Sequence, residues 1–293
     1  MKRSQSLGSF ACLVAMGLAP SASAEIIYGI ANQGVATSLL SWHSSAPGNL
    51  LSGAFVTNLQ PNETLLGIDF RPATGQLYGL GSSSRLYTIN PATGSATAVG
   101  GQFSTLLNGF SFGFDFNPQI DRIRVVSEVN QNLVLNPITG ALQLDATTLF
   151  YNPGDPNVGM DPNVVSSAYD RNVAGTMATQ LFGIDTGLNI LVKQANNAGS
   201  LDTVGPLGVD IAAAGGFDVS GLTGMAYAAL LPVGATQSSL YTIDLTTGAA
   251  TAVGVIDGGL VISAIAVAPI PEPAGAALAA TCLLAAAVRR RQR

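Results

Sequence analysis

Histidine, cysteine and charge are all scarce in this chain. His43 is the only histidine among 293 residues, Trp42 is the only tryptophan, and 10% of positions carry charge. A lone imidazole excludes a histidine-built metal centre and leaves little for nucleophilic catalysis, which needs a base beside its nucleophile. The serines around it, Ser41, Ser44 and Ser45, are neighbours in sequence only, and His43 reads as a surface loop residue. Both cysteines, Cys12 and Cys282, lie in terminal segments, so residues 25–270 form no disulfide and depend on their core. That span holds Lys193 as its only lysine, a residue expected on a solvated strand edge, and five arginines against sixteen acids, a net of −10. Nucleic acid, which is bound by neutralising phosphates, is excluded as a partner for so acidic a body. A glycine-rich phosphate loop with its lysine does not occur. Hydrophobic residues, in contrast, make up 47% of the chain, with 34 glycines and 15 prolines. Disorder and coiled coil are thereby excluded, and short strands joined by tight turns are favoured.

The two ends carry addresses. Lys2 and Arg3 precede an apolar run from Leu7 to Ala19 that closes on Ala22-Ser23-Ala24, small residues at the spacing a signal peptidase reads. Residues 1–24 are therefore expected to be a signal peptide, cut between Ala24 and Glu25. At the other end Pro271-Glu272-Pro273 leads into an apolar stretch, Ala274 to Val288, and then Arg289-Arg290-Arg291-Gln292-Arg293. Such a stretch, as a helix, spans about 22 Å, short of the roughly 30 Å of a bilayer core, so it anchors marginally and its arginines stay on the cytoplasmic side. This arrangement over residues 271–293 resembles the PEP-CTERM sorting signal. The resemblance implies processing by an exosortase-type enzyme, transient membrane anchoring through the C-terminal helix, and an exported protein of a Gram-negative envelope or extracellular matrix, alongside exopolysaccharide.

Residues 25–270 are repetitive. Leu86-Tyr87-Thr88-Ile89-Asn90-Pro91-Ala92-Thr93-Gly94-Ser95-Ala96-Thr97-Ala98-Val99-Gly100 returns as Leu240 to Gly254 with 11 of 15 positions identical, and a weaker copy runs from Leu133 to Gly140. Each copy reads as two strands around a tight turn, with proline preset for the first corner and glycine closing it. Upstream stands a strand with a shared pattern: Gly67-Ile68-Asp69-Phe70, Gly113-Phe114-Asp115-Phe116 and Gly216-Phe217-Asp218-Val219, with a diverged member at Ser167-Ala168-Tyr169-Asp170 whose register is open by one or two residues. One repeat then holds four strands, the first near 65–71, 76–81, 85–90 and 95–100, which is the make-up of a propeller blade. The third repeat is lengthened by a polar loop, Asn152 to Asn163. Val261 to Pro269 supplies a first strand with nothing after it, and Ile26 to about Asn58 supplies three strands with nothing before them. Together they make the missing blade. The prediction is an all-β, five-bladed β-propeller closed by pairing of its N- and C-terminal strands, with a parallel solenoid as the alternative. The Leu-Tyr-x-Ile-(Asn/Asp)-x-x-Thr-Gly hairpins and Phe114-Asp115-Phe116-Asn117-Pro118 resemble those of a bacterial family catalogued as domain of unknown function 4394. That resemblance implies the fold and export, and carries no activity.

Carboxylates are the remaining source of chemistry. Asp69, Asp115 and Asp218 recur at one place in the blade. If their strands line the axis, the three converge as a ligand or cation site; otherwise each accepts hydrogen bonds from its own inter-strand turn. Asp155, Asn157 and Asp161 space oxygen ligands along the polar loop like a calcium site, although prolines interrupt it and no closing Glu follows, so an ordinary turn is the alternative. No catalytic residue or cofactor is assigned, with calcium the only metal these residues suggest. The expected function is that of a non-enzymatic binding or structural module, with a carboxylate-based glycan hydrolase or a lectin as alternatives.

Overall fold

Runs rich in apolar residues, broken by Asn, Asp, Pro and Gly, form strands of two to ten residues. The computed structural model describes residues 24–269; the signal segment before them and the tail carrying Pro271, Glu272, Pro273, Arg289, Arg290 and Arg291 lie outside the described residues. Along the chain come β1 (Ile26–Gln33), β2 (Ala36–His43) and β3 (Ala46–Phe55); β4 (Leu65–Phe70), β5 (Leu77–Gly81), β6 (Arg85–Ile89) and β7 (Ala96–Val99); β8 (Phe112–Asn117), β9 (Arg122–Ser127), β10 (Asn132–Leu135) and β11 (Leu142–Asp145). There follow β12 (Phe150–Tyr151); β13 (Val164–Tyr169), β14 (Leu181–Asp185), β15 (Ile190–Gln194) and β16 (Ser200–Pro206); β17 (Ile211–Val219), β18 (Ala226–Pro232), β19 (Ser239–Ile243) and β20 (Ala250–Val255); and β21 (Ala264–Val267). A single 3₁₀ turn, Asn196–Ala198, is the only helical element among the described residues, and no helix there is long and apolar enough to cross a membrane.

These strands form five sheets, antiparallel except for one added strand. Blade I is β4-β5-β6-β7, blade II β8 to β11, blade III β13 to β16, blade IV β17 to β20, and blade V β21-β1-β2-β3. Blade V is the expected clasp: β1 pairs with β2 on one side and β21 on the other, with Ile27 opposite Val267 and Gly29 opposite Ile265. The innermost strands β4, β8, β13, β17 and β21 touch in that order and close back on β4. Blade III departs from the four-strand expectation, because β12 runs parallel to β16 and adds a fifth strand at its rim.

Burial falls from axis to rim. All six residues of β8 and of β13 are buried, whereas β11 and β20 are mostly exposed. The core is divided among the five gaps between blades. Leu80, Phe112 and Phe116 fill the gap between I and II, Val126 and Val164 that between II and III, Phe182 and Phe217 that between III and IV, Trp42 and Ile265 that between IV and V, and Ile30 and Ile68 that between V and I. Each such side chain contributes about 1.5–3 kcal/mol by leaving water, which explains how a body without disulfides holds. The recurring hairpin turns are closed as predicted by glycine, Gly94 at φ 72°. Their first residue does more than the repeat revealed: Asn90 Oδ1 accepts the N–H groups of Ala92 and Thr93 at 2.9 and 3.2 Å, and Asn136 and Asp244 repeat the device. Two expectations are corrected. Lys193 is exposed, as expected of a solvated charge, but it lies in β15, between β14 and β16 and not at a sheet edge, with its ammonium 5.9 Å from the Phe182 ring centre. His43 ends strand β2 and is half-buried, not a loop residue.

Candidate functional site

The Gly-x-Asp strands are the inner strands of blades I, II and IV. Asp69, Asp115 and Asp218 therefore meet at the axis, each 1% exposed, with a carboxylate oxygen from each lying within 4.8 Å of the others. The turn-capping alternative does not describe them, because their partners belong mainly to the next blade. Asp69 Oδ2 accepts the Phe116 N–H at 2.8 Å, Asp115 Oδ1 that of Tyr169 at 3.0 Å, and Asp218 Oδ2 that of Val267 at 2.6 Å. The register of the diverged strand is thereby settled. Tyr169 stands where Phe116 does, so Ala168 occupies the aspartate position, as Ala266 does in β21. Where a preceding blade offers only alanine, the aspartate serves its own strand: Asp218 Oδ1 accepts the N–H of Val219 at 2.6 Å, and the Phe70 amide favours the charged form of Asp69. Three carboxylates thus attend to the five equivalent amides of the ring.

The glycine two residues earlier permits this approach. A Cβ on Gly67 would sit 2.5 Å from Phe114 Cβ, one on Gly113 2.4 Å from Ser167 Oγ, and one on Gly216 2.3 Å from the Ile265 nitrogen. Gly67, Gly113, Ser166, Gly216 and Ala264 surround an axial cavity of about 10 Å³, room for about one water molecule.

Burial dominates the electrostatics. It pushes Asp218 up to about 7, with the amides of Val267 and Val219 pulling the other way. Asp69 and Asp115 are raised well above the usual carboxylate range, first by burial and then by neighbouring charge: Asp218 acts on Asp69, and Asp69 and Asp218 act on Asp115. Asp69 Oδ1 and Asp115 Oδ2 have no donor. Calcium takes six to eight oxygens, and the two donor-free oxygens of the cluster fall short of that shell. The arrangement suits shared protons, which relieve the repulsion with no further ligands.

The polar loop is arranged differently. Asp155 accepts from the Asn157 N–H at 2.8 Å and from the N–H and hydroxyl of Thr203 at 2.6 and 2.9 Å. Asn157 Nδ2 donates to Thr203 Oγ1, and Asp161 accepts from Asn130 Nδ2 at 2.7 Å. Asp155 and Asp161 belong to no metal-sized group of three His, Cys, Asp or Glu among the described residues, whereas the axial aspartates form one. Glu25 is buried: its N–H donates to Ser44 Oγ at 3.0 Å, and its carboxylate accepts from Tyr227, Thr223 and Ser220 of blade IV. Ala24 before it is exposed. Trp42 is wholly buried beside Gly29 and offers no face for stacking a sugar. Sequence reasoning missed a pocket of about 110 Å³ lined by Arg122 and Arg124 of β9. The signal was there: two of the body's five arginines stand two apart in a strand and so share a face.

Comparison with known proteins agrees on the fold and is silent on chemistry. The profile of a family described as domain of unknown function (DUF4394) matches residues 38–266. No curated protein matches. Among solved structures, a structural genomics protein of unknown function from Bacteroides thetaiotaomicron is 16% identical with a TM-score of 0.50, covering 85% of this chain and 62% of that one. Kuenenia stuttgartiensis hydrazine synthase is 14% identical with a TM-score of 0.41, covering 68% of this chain and 51% of that one. The chain spans less than two thirds of either structure.

Proposed function

The chain belongs to the DUF4394 family, and on that footing we propose that it is an exported, non-enzymatic binding and structural module of a Gram-negative envelope or matrix, associated with exopolysaccharide. In this reading residues 1–24 direct export, and the Pro271-Glu272-Pro273 tail is handled by an exosortase-type enzyme after transient anchoring in the membrane. The observation that carries the non-enzymatic reading is the sealing of the axial carboxylates. A glycan hydrolase needs two carboxyls that reach substrate, about 5 Å apart or more with the sugar between them. Asp69, Asp115 and Asp218 are each 1% exposed, and none of them lines the recess beside Arg122 and Arg124 or the two around Pro72 and Pro269. Support for the processing reading comes from both margins of the ring. Among the described residues Glu25 is the first buried one, and Val267 is the last residue of the closing strand, so both expected cuts leave the ring whole. Mass spectrometry of the protein recovered from the extracellular fraction is expected to find Glu25 at the N-terminus and no peptide from Arg289 to Arg293. Recovery of an intact 293-residue chain from the cytoplasm would defeat the proposal.

A further inference from the structure

Arg124 is a buried cation with no anion. It is 4% exposed, yet the ion pairs among the described residues, Arg71 with Asp121 and Arg171 with Asp170, leave it out. Its Nη1 donates to Asn132 Oδ1 at 2.6 Å and its Nη2 to Asn197 Oδ1 at 2.7 Å, while Nε has no acceptor. Burying a charge against neutral groups alone is costly, and the cost falls when a counter-anion arrives.

The surroundings are built to receive one. Arg124 lies in the wall of the 110 Å³ pocket between blades II and III, with Asn117, Arg122, Gln143, Tyr169 and Asn197. In each amide the oxygen is already engaged. Gln143 Oε1 accepts from Arg122 Nε, Asn197 Oδ1 from Arg124, and Asn117 Oδ1 from the N–H groups of Gln119 and Ile120. The ends of Gln143 and Asn197 with no partner among the described residues are therefore their NH₂ groups. Arg122 Nη1 is held by the Asp121 carbonyl at 2.8 Å, leaving Nη2 free of partners among the same residues. The Tyr169 hydroxyl donates to Asn196 Oδ1 at 2.5 Å. Two arginines and two amides whose NH₂ groups have no partner among the described residues thus line one small pocket on a body whose net charge is −10.

We propose that this pocket recognises a carboxylate, namely that of an acidic sugar unit such as a uronic acid in a glycan. The oxyanion chemistry rests on the donors; the sugar rests on the exopolysaccharide role proposed above. A planar carboxylate suits the paired N–H groups of a guanidinium, and a pocket of this size takes one charged end of a sugar, leaving the rest of the chain outside.

Titration calorimetry of the purified protein with glucuronate, glucose and inorganic sulfate tests this. Glucuronate is expected to bind, glucose not, and sulfate more weakly. Arg122→Gln should weaken glucuronate at least tenfold. Asn197→Asp is the more telling variant: its carboxylate would neutralise Arg124 from within, so binding should be lost while the melting temperature is maintained or raised. Equal binding of glucose, preference for sulfate, or undiminished binding by Asn197→Asp would each overturn the assignment. Glucuronate binding in a protein that fails to associate with exopolysaccharide would uphold this site and remove the envelope role. Association that Asn197→Asp leaves intact, without glucuronate binding, would do the reverse.

Discussion

A carboxylate held at the axis is a group whose charge the fold resists, and its pH behaviour follows. In the unfolded chain the three aspartates release their protons near 3.8, whereas Asp218 keeps its proton to about 7 in the folded protein and Asp69 and Asp115 are raised as well. Between those values the native state binds more protons than the unfolded one, so this contribution is complete below about pH 4 and is lost as pH rises, on the order of 1 kcal/mol per pH unit for each titrating group. Glu63 works oppositely: burial opposes its charge, but bonds from Ser83, Tyr87 and Gln60 prevail and lower its pKa, so its contribution is lost as pH falls. Urea denaturation is expected to find the protein more stable at pH 5 than at pH 8. Asp69→Asn keeps an oxygen for the Phe116 amide and removes a charge, so it should flatten this dependence and stabilise the protein at pH 8. Asp69→Ala abandons the buried amide and should cost about 1–3 kcal/mol. Calcium should leave the wild-type melting temperature unchanged; a rise abolished by either variant would show that the cluster takes a cation instead of protons.

At the scale of the strand, Gly-x-Asp is one device with two parts: the glycine lets neighbouring inner strands close up, and the aspartate joins them. Gly216→Ala should be among the most damaging small substitutions, since its Cβ would meet backbone atoms of β21 and φ is 146° there. Gly67→Ala would set its Cβ 2.5 Å from Phe114 Cβ, an atom that moves only with its backbone, and should cost at least about 1–3 kcal/mol by overpacking. Gly101→Ala, with open space around it, should be near neutral, and thermal melts of the three variants would expose any other ordering. Strands, blades and clasp were legible because a repeated hairpin writes the same alternation and turn residues several times. The partners of Asp69 and Asp115 were not, because those amides lie 47 and 54 positions away and join strands that share no ladder. Asp170 obscured the third blade: it stands two places late, capping the Gln180 and Thr179 segment, while Ala168 holds the axial position. Arg124 passed unnoticed because what distinguishes it is the absence of a counter-charge, and only packing reveals that.

For the whole molecule, closure concentrates many interactions in a short final segment. Removing residues 260–293 would take away β21, the Ile262, Ile265 and Val267 side chains of the gap between blades IV and V, and the Val267 amide that Asp218 accepts. Such a chain should aggregate or be digested by protease, since β1 and β17 both lose a neighbour. Stopping at Pro269 should leave a soluble, protease-resistant domain, and equal behaviour of the two truncations in limited proteolysis would contradict a closed ring. The clasp also orders events in time. Ile27 finds its partner Val267 about 240 positions later, at a loop-closure cost that grows slowly with length but comes before any contact rewards it. A chain made or threaded from its N-terminus keeps β1 single-sided until almost the last residue of the body has emerged. The ring therefore locks only once β21 has been made, and shorter products are expected to stay open to proteolysis.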